Sequence, residues 1–191
     1  MNLLILVSVA IGLLFFGRGK TSVVGSISKA FDFVRSTWAD AKRIQSETGI
    51  DPRITLVQAA HESNFGLSEL SAKYRNLFGI KKSTDWRGAT INLPTREVGP
   101  DGKLYVDRAQ YFKVYPSAYA SMLDWADLLK RGYPLAFQAA QRGDFDLFFS
   151  GLANGKWGAY AGPADGSFIR STYAKQAIAL LPSITNAIGN V

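Results

Sequence analysis

Gln58-Ala59-Ala60-His61-Glu62-Ser63-Asn64-Phe65-Gly66 joins an apolar run to a turn, and a glutamate stands at the junction. Upstream, Asp51-Pro52 has the form of an N-cap followed by proline at the first helical position. Ile54, Leu56, Val57, Ala59 and Ala60 then make a core helix that ends near Glu62 to Phe65. A carboxyl at the end of such a helix, beside aromatics, is partly desolvated, and desolvation disfavours the anion. That is one way a carboxylic acid keeps its proton near neutral pH and donates it to a leaving oxygen. The competing reading is a helix-end glutamate bonded to local backbone donors. The chain has three other glutamates. Glu47 lies in a polar helix end and Glu69 follows a capping serine, so both read as solvated; Glu97 lies in a strand-like stretch.

Working outward, Ile27, Phe31, Val34, Trp38, Ala41 and Ile44 recur at three and four residues and predict a helix that stops near Gly49. Ser68 caps a short helix through Tyr74. The middle of the chain changes character. Ala89 to Val98 and Leu104 to Tyr115 are strand-like, and Asp101-Gly102 between them is a turn signal, so Trp86 to Tyr115 reads as a β-hairpin lobe. Helices resume at Pro116/Ser117, where Tyr119, Met122, Leu123, Ala126 and Leu129 form an apolar stripe. Phe137 to Leu152 and Tyr173 to Leu181 supply more, and Gly151 to Ser167 reads as a glycine-rich loop. The fold class is α+β, mainly α.

Leu3 to Phe16 carry no charge over fourteen positions. As a helix they cover roughly 21 Å, against a hydrocarbon core of about 30 Å. A short membrane anchor over residues 1–17 is the favoured reading. A signal peptide, a buried or partner-binding helix and disorder are the alternatives. A signal peptide fits less well, since the early segment has no Lys or Arg and no A-x-A site follows. Residues 18–25 read as a linker, leaving 26–191 as one domain. Arg18 and Lys20 bias that domain toward the cytoplasmic side of a membrane.

Composition removes several chemistries. With no cysteine and a single histidine, His61, the chain has no disulfide scaffold, thiol nucleophile, zinc-thiolate site or multi-histidine metal site. No metal or cofactor is expected. Lys+Arg 22 against Asp+Glu 15 gives a net charge of +7, which favours polyanions such as nucleic acid, anionic lipid or an acidic cell wall.

The segment 58–66 resembles a signature of glycoside hydrolase family 73, the flagellar-type and autolysin-type β-N-acetylglucosaminidases. The likeness continues in order through Asn76-Leu77-Phe78-Gly79-Ile80-Lys81, Trp86 and Gly88, Thr95-Arg96-Glu97, Tyr111 to Ser117, Asp124 to Leu129, Gly158 to Ala161 and Tyr173-Ala174. It covers roughly 33–181. It implies a lysozyme-like helical body with a β-lobe, and hydrolysis of the β-1,4 bond between N-acetylglucosamine and N-acetylmuramic acid in peptidoglycan. It implies Glu62 as general acid, Glu97 as second carboxylate and Tyr160 as a tyrosine near the reaction centre. Asn76 is expected to fix its loop and is counted with the substrate-binding set, alongside the candidate sugar-contacting aromatics Phe65, Phe78, Trp86, Tyr111 and Tyr115. Asp124 is expected to be a structural hydrogen-bond partner. Three positions depart from the family: Phe65 replaces a common tryptophan, His61 an aliphatic residue, and extra residues separate Tyr160 from Tyr173.

Two carboxylates about 5 Å apart would imply retention, and about 6.5–9.5 Å inversion; the sugar's own N-acetyl oxygen is a third nucleophile. A lytic transglycosylase on the same fold is the nearest rival, although the G-L-M-Q segment typical of that group is absent here. A non-catalytic glycan-binding scaffold comes next. A nucleic-acid partner is disfavoured because the basic residues are scattered. Orientation conflicts with a wall substrate. Either the weak charge bias fails and the domain meets the wall at the periplasmic face, or the protein rides in the membrane of a virus particle.

Overall fold

A computed structural model describes residues 23–98, 104–107, 110–156 and 172–191. The expected anchor, the Asp101-Gly102 turn and Tyr160 lie outside the described residues. Among these residues no helix is long and apolar enough to cross a membrane.

Local punctuation sets the first three helices. Helix α1, Val23–Thr48, begins inside the segment expected to be a linker and stops ahead of Gly49. In α2, Pro52–Ser63, the Asp51 side chain accepts the Arg53 N–H at 2.8 Å, as its N-cap position predicts. In α3, Glu69–Tyr74, Ser68 accepts from the Ser71 N–H. Ten of the twelve residues of α2 are buried, including Thr55, Gln58 and Glu62. A helix enclosed on all sides is a central one, and α2 packs against α1 and the two C-terminal helices.

The predicted hairpin forms as two separate antiparallel ladders. Strand β1, Thr90–Asn92, pairs with β4, Tyr111–Lys113, as Thr90↔Lys113 and Asn92↔Tyr111. Strand β2, Thr95–Val98, pairs with β3, Leu104–Asp107, as Thr95↔Asp107 and Glu97↔Tyr105. Two residues separate β1 from β2 and three separate β3 from β4, so the pairing register shifts by one between the ladders. Pro94 has no N–H to give a continuous ladder, and a one-residue shift exchanges the faces on which side chains emerge.

The C-terminal half is helical: α4 Ala118–Gly132, α5 Pro134–Arg142, α6 Phe145–Ala153, α7 Thr172–Ile178 and α8 Leu181–Ile188. The expected helical stretch 137–152 divides at Gly143-Asp144, where the Asp144 side chain caps α6 by accepting the Leu147 N–H. Gly151 was expected to open a loop; it lies inside α6 instead. A Cβ there would sit 2.4 Å from the Ala136 nitrogen, so glycine is what lets α5 and α6 touch. Trp125, Tyr133, Phe78, Phe112, Phe148 and Phe149 are the largest fully buried side chains.

Candidate active site

Glu62 lies in the last turn of α2 and is 8% exposed. The chain leaves the helix through three successive residues of positive φ, Asn64 at 51°, Phe65 at 56° and Gly66 at 76°. A non-glycine residue in that region costs about 1–2 kcal/mol. The surrounding bonds hold the turn. Ser63 Oγ donates to the Ala59 carbonyl at 2.6 Å and accepts the Gly66 N–H at 2.7 Å. The Phe65 N–H reaches the Ala60 carbonyl at 2.9 Å, and the Phe65 ring meets Phe33 edge-on. The serine after the glutamate therefore stitches the turn that ends the acid's helix.

The partner of Glu62 comes from 111 residues away. Tyr173, on α7, donates its hydroxyl to Glu62 Oε1 in a very short contact. Gln58, one turn before Glu62 on α2, sends its Nε2 to the Tyr173 hydroxyl at 2.6 Å and to Glu62 Oε1 at 3.3 Å. His61 meets the Tyr173 ring edge-on at 4.7 Å. Among the described residues Glu62 forms no ion pair. Burial without a cation pushes its carboxyl up to about 7, against a smaller lowering by the Tyr173 hydrogen bond. Burial likewise pushes His61 down to about 4, so near neutral pH the imidazole is uncharged.

A second polar cluster sits at the foot of the hairpin. Lys113 Nζ, on β4, pairs with Asp124 Oδ2 at 2.8 Å; the lysine side chain is 7% exposed. The Tyr115 hydroxyl donates to the same oxygen at 2.5 Å. The ammonium lies 4.6 Å from the centre of the Trp86 ring, which also meets Tyr115 at 5.6 Å and donates its indole N–H to the Ala89 carbonyl. A Cβ on Gly88 would fall 2.4 Å from Trp86 Cζ2, which explains the tryptophan-x-glycine spacing. Asn76 completes the foot. Its Nδ2 donates to the carbonyls of Ile80 and Lys113, both at 2.9 Å, and its Oδ1 accepts the Ile80 N–H at 3.0 Å.

These positions sort the expected site residues. Phe78 is fully buried and stacked on Trp125 at 4.7 Å with 6° between the planes, and Tyr115 is 3% exposed. Both were expected to offer faces to a sugar; both are instead walls of the core. Asn76 spends its side chain on backbone groups, as a loop-fixing residue does. Asp124 is the structural acceptor it was expected to be. Tyr111 is 49% exposed, while Trp86 and Phe65 are half-buried at the surface of the core. Glu97 lies in β2, where it pairs with Tyr105 of β3. Among the described residues no group of three or more His, Asp and Glu side chains is arranged for a metal. Tyr173 and Gln58 are the functional candidates that sequence reading missed. The available signal was Gln58 itself, a polar residue inside Leu56-Val57-Gln58-Ala59-Ala60, one turn before the acid.

A helical body that buries an uncompensated glutamate at a helix end, with a small β-lobe beside it, defines a glycoside hydrolase of lysozyme-like architecture. The chain belongs to the Glucosaminidase family, described as mannosyl-glycoprotein endo-β-N-acetylglucosaminidase, whose family model matches residues 38–186; it is the glycoside hydrolase family 73 domain that its motifs resemble. It is 39% identical over 99 residues to a probable N-acetylmuramidase of Lactococcus lactis subsp. lactis, covering 51% of this chain and 22% of that protein. It is 38% identical over 100 residues to the exo-glucosaminidase LytG of Bacillus subtilis, covering 52% of this chain and 34% of that protein. The matched segments thus span only 22% and 34% of these two relatives. Its fold is similar to the catalytic domain of the autolysin Auto from Listeria monocytogenes, with TM-score 0.66 and 27% identity over 84% of this chain and 86% of that one.

Proposed function

We propose that this chain is a peptidoglycan hydrolase that cleaves the β-1,4 bond between N-acetylglucosamine and N-acetylmuramic acid, with Glu62 as general acid. The observation that carries this reading is the buried carboxyl at the end of α2, which pairs with no cation among the described residues and is pushed up to about 7 by its burial. A carboxyl in that range is protonated often enough to donate and acidic enough to release. Similarity to a muramidase, a glucosaminidase and an autolysin supports the substrate class. Glu97 acts as base or electrostatic stabiliser. Its place on the β2–β3 ladder, beyond the register shift, makes its approach to the glycan dependent on the hairpin. Tyr160 is assigned to the same reaction centre, and Tyr111, Trp86 and Phe65 to contacts along the glycan.

Digestion of purified peptidoglycan by the full chain, with mass analysis of the new ends, tests the assignment. Reducing N-acetylglucosamine ends are expected. Reducing N-acetylmuramic acid ends would move the cleaved bond, and 1,6-anhydro ends would make the enzyme a lytic transglycosylase. Glycan binding without new ends would leave a scaffold. Glu97→Gln is expected to reduce turnover strongly.

The apolar run 3–16 is proposed to tether the enzyme to a membrane, with the wall facing the domain from the periplasmic side or from the membrane of a virus particle. Flotation of the full chain with liposomes, lost on deleting residues 1–17, checks the tether. Recovery from purified particles rather than from envelope fractions alone separates the two settings.

A further inference from the structure

Gln58 and Glu62 stand four residues apart, so their side chains share one face of α2. The Gln58 side chain is fully buried, and one of its terminal atoms lies 2.6 Å from the Tyr173 hydroxyl and 3.3 Å from Glu62 Oε1. An amide nitrogen with two hydrogens serves both oxygens at once. A carbonyl oxygen in that place would face the carboxylate oxygen lone pair to lone pair. The nitrogen therefore occupies it. Because the Tyr173 oxygen accepts from Gln58, its own hydrogen goes to Glu62 Oε1. Oε1 then receives two donors, while Oε2 takes no hydrogen bond among the described residues.

The arrangement has a cost that a purely structural residue would avoid. Gln58 Oε1 is a buried acceptor with no hydrogen-bond partner among the described residues, and a buried polar atom left unpaired is destabilising. Leucine would fill a similar volume without it.

We infer that Gln58 is a positioning residue which, by making Tyr173 an obligatory donor to Glu62 Oε1, confines the acid's proton to Oε2, the oxygen that must face the bridging oxygen of the glycan. This rests on Glu62 being the general acid. In the donating step the Oε2–H bond breaks, the bridging oxygen gains that hydrogen as its bond to the anomeric carbon opens, and the carboxylate is left negative. The two donors at Oε1 are already in place for that charge and need not move.

The test is kcat and KM against pH on purified peptidoglycan, for the full chain and its Gln58→Leu, Gln58→Glu, Tyr173→Phe and Glu62→Gln variants. Gln58→Leu is expected to keep Tm at or above the wild-type value and KM within about twofold, while kcat falls about tenfold. The basic limb of kcat should move up by about half a pH unit or more, because the carboxylate has lost a donor chain while staying buried. Gln58→Glu, which sets an acceptor opposite Oε1, should lose more of kcat than Gln58→Leu. A Gln58→Leu limb that stays in place or moves down, or a loss of kcat that only follows Tm, overturns the inference. Should Gln58→Leu not fold, Tyr173→Phe gives the same reading, since it removes only the hydroxyl, and an unmoved limb there is equally fatal. Turnover retained in Glu62→Gln would instead sink the acid assignment itself. An inactive Glu62→Gln beside an unmoved Gln58→Leu profile removes only the role of Gln58.

Discussion

The α2–α7 junction buries a carboxyl and the foot of the hairpin holds one half-buried, and the two are met in opposite ways. Asp124 is met by the ammonium of Lys113 and the hydroxyl of Tyr115. Among the described residues Glu62 is met by neutral donors, Tyr173 and Gln58, and by no cation. A cation opposite a carboxylate makes the pair a structural clamp. Neutral donors leave the charge largely uncompensated in a desolvated site, so the proton stays near neutral pH and remains available. The same functional group is thus tied into an ion pair at one place and left without one, among the described residues, at the other.

The largest effect expected from breaking this contrast is at Glu62. Glu62→Gln keeps shape and burial but cannot release a proton, so kcat on peptidoglycan should fall at least about a thousandfold. Stability should move the other way. The folded carboxyl is raised to about 7 from 4.5, so its favourable contribution is complete below about pH 4.5 and is lost as pH rises through 7. Relative to wild type, Glu62→Gln should therefore gain up to about 3 kcal/mol between pH 4 and pH 8. Urea unfolding at the two pH values measures the gain, and equal differences at both would show that the carboxyl is not held protonated by the fold.

The clamp should respond with stability before activity. Asp124→Leu leaves the Lys113 ammonium buried without its partner, which should cost about 3 kcal/mol. Adding Lys113→Met to that variant removes the stranded charge and should restore most of the loss. If the double variant is as unstable as the sum of the two single ones, the pair is not coupled and the foot is held by Asn76 and the backbone alone.

Much of this molecule was legible because its punctuation is local. Asp51-Pro52, Ser68 and Ser117 each predicted a helix start that the structure has, and the hairpin appeared where the strand-like stretches stood. Glu62 stood out because one apolar helix and one turn meet there. What failed to show had no local signal. The division of the hairpin into two ladders turns on one more residue between β3 and β4 than between β1 and β2. Asp124 was expected to be a structural hydrogen-bond partner, but its partner Lys113 looks like any surface charge until β4 and α4 are brought together. The tyrosine that reaches Glu62 is chosen by the packing of α7 on α2, which is why the family resemblance pointed to Tyr160 and gave Tyr173 no role. Phe78 and Tyr115 were open to two readings, core or sugar platform, and only their burial decides.

A smaller effect separates the clamp from the aromatic ring it supports. Gly88→Ala places a methyl against the Trp86 ring, which can yield only by leaving the Lys113 ammonium and the Ala89 carbonyl. The expected cost is about 1–2 kcal/mol in Tm-derived stability, with KM rising if the indole contacts glycan. Unchanged KM beside a lowered Tm would assign Trp86 to the foot alone.

The smallest effect tests whether the hairpin side of the molecule meets substrate at all. Tyr111 is half exposed and sits at the edge of β4 away from the clamp, and no core contact depends on its ring. If it stacks on a sugar face, Tyr111→Ala should raise KM about three- to tenfold, the worth of a single aromatic contact of about 0.5–1.5 kcal/mol. Tm should stay within a degree or two of wild type, since an exposed ring contributes little to folding. Phe78→Ala should behave inversely, losing about 3–5 kcal/mol of stability through the cavity left beside Trp125. A Tyr111→Ala enzyme with unaltered KM would leave Glu62 served from the helical side only, and the hairpin would then matter to catalysis through Glu97 alone.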